Sequence, residues 1–172
     1  MADERAVPQR VWELRRAFDE SFADPARAPM AAGVEGVMLV RVGPTSYAVR
    51  LAECSTMIPL PSITPLPATM PAFCGVSRVK GAAVPVYDLS RLLQVEAAAT
   101  SERWLLVAAG DDRVGFIVDG LQGHGALSQQ PGADGSAAPV VHVNGTDYRL
   151  LQISRLVAAL REQVGAGMAR EH

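Results

Sequence analysis

No stretch of this 172-residue chain holds the roughly 18 to 20 consecutive apolar residues that a membrane-spanning helix needs. The opening Met1-Ala2-Asp3-Glu4-Arg5 also lacks the basic-then-apolar order of a secretion signal. A cytoplasmic protein without direct membrane insertion is expected. Neither sign of charge dominates, because 16 basic side chains face 18 acidic ones for a formal net charge of −2. No broad positive field therefore favours nucleic acid or an anionic membrane, and partner choice has to come from local surfaces. Cysteine is scarce: Cys54 and Cys74 sit in apolar contexts without Cys-x-x-Cys spacing and read as buried reduced thiols. The histidines at 124, 142 and 172 share no metal-ligand spacing, so neither a metal nor a cofactor is expected.

Catalytic signatures are missing as well. The chain has no Gly-x-Ser-x-Gly elbow, P-loop lysine motif, Gly-x-Gly-x-x-Gly run or His-Glu-x-x-His helix. Asp111-Asp112 has the composition of paired carboxylates or a magnesium ligand, but it lies between two strand-like runs, where aspartate suits turn geometry. Gly123-His124-Gly125 reads as a loop or bulge carrying one exposed imidazole with no partner acid. A protein that is not an enzyme is the expectation.

What the sequence does contain is a mixture for many short elements. Glycine (15) and proline (12) together exceed the usual share of about 12%. Residues 10–23 form the one long helical pattern, with Val11, Leu14, Phe18 and Phe22 at intervals of three and four, bounded by Pro8 and by Asp24-Pro25. This amphipathic helix, Trp12 included, either packs on its own protein or docks on a partner. Beyond it the period becomes that of strands. Residues 37–42 and 47–51 flank Gly43-Pro44-Thr45-Ser46, residues 104–109 and 114–118 flank Gly110-Asp111-Asp112, and residues 140–143 and 147–151 flank Asn144-Gly145. The last is the strongest hairpin signal, because both residues tolerate the positive φ of a type I′ turn.

The hairpins belong to a longer repeat. Leu39-Val40-x-x-Gly43 matches Leu106-Val107-x-x-Gly110, and Leu89-Ser90-Arg91-Leu92-Leu93 matches Ile153-Ser154-Arg155-Leu156-Val157. Two matches in the same order predict one unit of about 65 residues occurring twice as two small barrels. Residues 89–94 and 154–163 have helical spacing and are expected to cap one barrel each, with Leu92, Leu156 and Leu160 turned inward. Asp88 suits the N-cap of the first. Pro85 suggests that its strand lies at a sheet edge.

The most informative run is Gly75-Val76-Ser77-Arg78-Val79-Lys80-Gly81-Ala82-Ala83-Val84-Pro85-Val86-Tyr87-Asp88-Leu89. It resembles the family of CheW-type coupling domains of bacterial chemotaxis, whose pattern is approximately G-V-x-N-L-R-G-x-x-x-P-V-x-D-L. Arg113-Val114-Gly115-Phe116-Ile117-Val118-Asp119-Gly120 is similar to a second strand of that family, and the resemblance covers about residues 37–160. It implies an all-β fold with short helices, two intertwined SH3-like five-stranded barrels placed at residues 34–164; the helix and linker read from the periodicity occupy 1–33, and 165–172 form a tail. It implies a non-catalytic adaptor between the cytoplasmic tips of methyl-accepting chemoreceptors and the regulatory domain of a CheA-type histidine kinase, with other CheW-like domains as further partners, at the periphery of receptor arrays.

By the same resemblance, Cys54, Met57, Ile58 and Gly75, Val76, Ser77, Arg78, Val79, Lys80 and Gly81 form a receptor-facing groove. Departures from the pattern bear on the partner. Thr56 stands where the family has an acid, Arg78 replaces asparagine, and Lys80 replaces arginine and so loses a planar two-pronged donor. These changes motivate an alternative in which Val11, Trp12, Leu14, Phe18 and Phe22 recruit a diverged module to a localisation, motility or chromosome-partition machine.

Overall fold

A computed structural model describes residues 35–111, 113–127 and 139–168; the 10–23 segment with Val11, Trp12, Leu14, Phe18 and Phe22 lies outside them, as do Asp112 and 128–138. The described chain is all-β with few helices. Its strands are β1 (Glu35–Val42), β2 (Thr45–Arg50), β3 (Cys54–Pro59), β4 (Ile63–Thr64), β5 (Phe73–Val79), β6 (Ala82–Asp88), β7 (Trp104–Ala108), β8 (Gly115–Val118), β9 (Gly120–Leu127), β10 (Val140–Val143) and β11 (Thr146–Leu151). Helix α1 (Leu89–Leu92) follows β6, and α2 (Ile153–Met168) follows β11.

All three expected hairpins form. Asn144 and Gly145 have φ of 51° and 85°, as a type I′ turn requires. A further two-residue turn joins β5 to β6 at Lys80 and Gly81, with φ of 48° and 83° and Val79 facing Ala82. Lys80 is there a hairpin tip, a conformation that glycine and asparagine adopt more readily. The Asp88 cap also forms: its Oδ1 accepts the Ser90 N–H at 3.0 Å and the Ser90 hydroxyl at 2.5 Å. The run around His124 is part of β9 rather than a loop, and it carries a bulge where β1 shifts register between Leu39 and Val40.

The strands form a five-stranded sheet in the order β10-β11-β2-β1-β9 and a six-stranded sheet in the order β3-β7-β8-β6-β5-β4. Without the two-residue β4, the two orders correspond strand for strand, each with one parallel pair, β2 with β11 and β8 with β6. The repeat is therefore real, but its halves are exchanged. Each unit gives its hairpin to one sheet and its later strands to the other. The match of Leu39 with Leu106 is also one residue out of step: Leu39 faces the interior of its sheet, whereas Leu106 faces outward to the other sheet. In a strand a shift of one reverses every side chain.

Each sheet curls on itself. The outer strands β9 and β10 meet at Gly125, where an added Cβ would lie 2.3 Å from Val143 Cγ1, and Asn144 Nδ2 donates to His124 O at 3.5 Å. Val37, Leu39, Ala48, Val141, Val143 and Leu150 fill this barrel; Val79, Val84, Val86, Leu105, Val107 and Ile117 fill the other. The alternate residues of the same strands build a third cluster between the barrels. Met38, Val40, Val42, Tyr47 and Val49 there meet Tyr87, Leu106, Ala108, Phe116 and Val118. Strands buried on both faces explain why β1, β7 and β8 read as unbroken apolar runs.

Two expectations change at this level. Leu92, Leu156 and Leu160 pack on the shared seam, so α1 and α2 close the seam rather than one barrel each. Strand β6 is internal, not an edge; its neighbour β8 reaches only Val86, Tyr87 and Asp88, and Pro85 falls where that side of the strand has no partner.

Candidate functional site

Where the seam reaches the surface, half-buried apolar side chains line its rim. Cys54 and Met57 come from β3, Met70 and Phe73 from the entry to β5, and Trp104 from β7. The edge position of β3 leaves one flank without a neighbouring strand. Phe73 packs against Tyr87 with ring centroids 5.3 Å apart and planes inclined by 59°. Methionine and aromatic groups held half in water are suited to receive apolar side chains of another protein.

The structure distributes the residues of the expected groove over several environments. Cys54 and Met57 share the seam rim, whereas Ile58 turns the other way and packs with Leu60, Ile63 and Cys74 on the barrel interior. In β5, Gly75 is buried, Ser77 is buried with its hydroxyl donating to Ser62 O at 2.9 Å, and Val79 belongs to the interior cluster. Val76 is half-buried. Arg78, Lys80 and Gly81 are exposed. The charged side chains of this segment, Arg78 and Lys80, are both exposed.

Two clefts adjoin α2. One, of about 490 Å³, runs between Ala83, Pro85 and Tyr87 of β6 and Val157, Leu160 and Arg161 of α2, with Asp111, Arg113 and Val114 closing it. Arg78 is the strand partner of Ala83 and so stands on the same face. The second, of about 350 Å³, has small walls made by Ala52, Ala108, Ala109 and Ala158, with Glu53 and Asp111 beside them. Among the described residues, no group of three or more His, Cys, Asp or Glu side chains is placed to hold a metal, and no helix is long and apolar enough to cross a membrane.

Both thiols are free but half-buried rather than buried, and partial desolvation governs their titration. Desolvation, reinforced by the Glu53 carboxylate, pushes the Cys54 thiol from its ordinary 9.0 up to about 12. The Cys74 thiol is raised by desolvation first and by Asp88 second.

Sequence reasoning missed a set of polar residues behind the rim. Asp119 is the single residue between β8 and β9, where the chain passes from one sheet to the other, and it is only 3% exposed. Its Oδ2 accepts the Gly43 N–H at 2.7 Å and the Ala98 N–H at 3.5 Å. Arg103 places Nε 3.6 Å from Asp119 and Nη1 3.7 Å from Asp88. At the other crossing, between β2 and β3, the Glu53 carboxylate accepts the N–H groups of Ile153 and Ser154 at 3.4 and 3.2 Å and the Ser154 hydroxyl at 2.5 Å, capping α2. The aspartate near the end of the 113–120 family match was the available signal for Asp119; for Glu53 and Arg103 there was none.

Residues 36–161 match a family model described as the CheW-like domain. Among solved structures, the scaffolding protein TtCheW from Thermoanaerobacter tengcongensis is similar to this chain with a TM-score of 0.60, covering 67% of this chain and 87% of that one at 14% identity, a likeness of fold. No curated protein matches the sequence.

Proposed function

The chain belongs to the CheW-like domain family, and from that premise we propose that it is a non-catalytic adaptor coupling chemoreceptors to a CheA-type histidine kinase in a cytoplasmic bacterial signalling array. The observation that carries this reading is the family match across both barrels, joined to a seam rim of Cys54, Met57, Met70 and Phe73. An adaptor of this kind makes several contacts at once. Each can be weak, because a partner held at one surface meets the next at high effective concentration. The half-buried apolar rim supplies buried area, and the exposed Arg78 and Lys80 supply local charge that favours an acidic partner surface.

Pull-down of the full chain against a chemoreceptor cytoplasmic tip and a kinase regulatory domain from the same genome tests the role. Binding to both is expected; binding to neither overturns it. Lys80→Glu reverses a charge on an exposed hairpin tip, so receptor binding should weaken while unfolding stability shifts by less than about 0.5 kcal/mol. Removing residues 1–30 should leave kinase binding intact. Loss of all partners on that deletion would instead favour recruitment through the N-terminal segment.

A further inference from the structure

Among the described strands the chain passes between the barrels twice, through Leu51–Glu53 and at Asp119. Apolar contact across the seam is non-directional. Hydrogen bonds and paired charges at the crossings fix direction as well as distance. At the second crossing, Asp119 is fastened on both sides: its N–H donates to Arg41 O at 2.8 Å, Arg41 Nη2 donates to Asp119 O at 3.3 Å, and its carboxylate takes the Gly43 N–H from the β1–β2 turn. One barrel is thereby tied to the crossing.

The other barrel is tied through Arg103. Two nitrogens of one planar guanidinium face two carboxylates on different elements, Asp119 at the crossing and Asp88 at the end of β6. Asp88 is itself fixed as the cap of α1. These residues stand at the end of the seam where Trp104 and Phe73 form the rim, since Trp104 follows Arg103 and Phe73 is paired with Tyr87.

We propose that the Asp88–Arg103–Asp119 cluster sets the angle between the two barrels and so holds the seam rim in the shape that receives a partner. These are positioning residues, acting through Met57, Phe73 and Trp104 rather than by touching the partner. The docking half of the proposal rests on the adaptor reading; the angular half does not. Arg103→Lys keeps a charge but offers one ammonium where two separated nitrogens are needed. Arg103→Met removes the charge and leaves the two carboxylates unbridged.

Residual dipolar couplings of backbone amides, fitted separately for the two sheets, measure the angle without any partner. The expected result is a changed angle in Arg103→Met and a smaller change in Arg103→Lys, with couplings inside each sheet still fitting the wild-type strands. An unchanged angle overturns the proposal; if the methionine variant does not fold, the lysine variant decides by the same criterion. Affinity for a receptor tip that binds the wild type should fall roughly 2- to 30-fold in the variant with the altered angle. A changed angle with unchanged affinity overturns the docking half alone. A wild type that binds neither receptor tip nor kinase domain refutes the adaptor reading and leaves the angular result standing.

Discussion

Replacing Gly75 by alanine separates the structural from the binding role of the glycine-bracketed motif. Gly75 has φ of 132°, and an added Cβ would lie 2.1 Å from Thr64 O and 2.8 Å from Pro65 Cα. Both are backbone atoms, so no side chain can swing aside. Relief requires β4 to move, which disturbs the pairing of Ile63 with Ser77 and Thr64 with Val76 and the Ser77–Ser62 hydrogen bond. Gly81 is the internal control: its φ is 83°, but an added Cβ meets nothing within 4 Å. Gly81→Ala carries the cost of left-handed backbone, about 1 to 2 kcal/mol, and Gly75→Ala, at a φ beyond that well, carries at least as much. Only Gly75 adds a collision, worth about 1 to 3 kcal/mol by the standard of overpacked cores.

Gly75→Ala should therefore lose about 3 kcal/mol and Gly81→Ala about 1, measured by urea unfolding with tryptophan fluorescence. In a thermal scan each kcal/mol corresponds to roughly 3 to 5 °C for a domain of this size. Equal losses in the two variants would refute the collision argument. A correct result also bears on function, because weaker partner binding by Gly75→Ala then reports a distorted strand rather than a lost contact.

Three further outcomes concern the Glu53 cap and the Cys54 thiol. Glu53→Ala should cost about 1 kcal/mol and speed amide hydrogen exchange at Ile153 and Ser154, whose N–H groups its carboxylate accepts; unchanged exchange there would show that the cap is dispensable. With its thiol raised to about 12, Cys54 should react with iodoacetamide at pH 8 as if its thiolate fraction were roughly a thousandfold below that of an ordinary thiol, and a normal rate would contradict the burial. The same shift has a sign for stability. Above about pH 9 the unfolded thiol loses its proton while the folded one keeps it, so stability contributed by Cys54 falls as pH rises from 9.0 to about 12. Cys54→Ala should flatten that part of an alkaline titration of the urea midpoint.

The resemblance named residues of the candidate site but not their orientation. Lys80 is exposed and Cys54 and Met57 pack half-buried on the seam, yet Ile58, one residue beyond Met57, points into the barrel. Adjacent residues of a strand cannot share a face, and a motif quoted as a run conceals that alternation. Strand β9 escaped detection because Gly120, Gly123 and Gly125 dilute the apolar pattern, although Gly125 is what allows Val143 to approach.

By itself the sequence determined what depends on neighbours along the chain: the Asn144-Gly145 turn, the Asp88 cap and the runs of β1 and β7 that are apolar on both faces. Backbone φ preferences and short-range hydrogen bonds act within a few residues, so local composition carries them. The tertiary structure alone decided which strands the intertwined repeats exchange, and that Asp119 joins Gly43 across 76 positions. Such pairings are chosen by the burial of whole faces against one another, and no local pattern names the partner of a face.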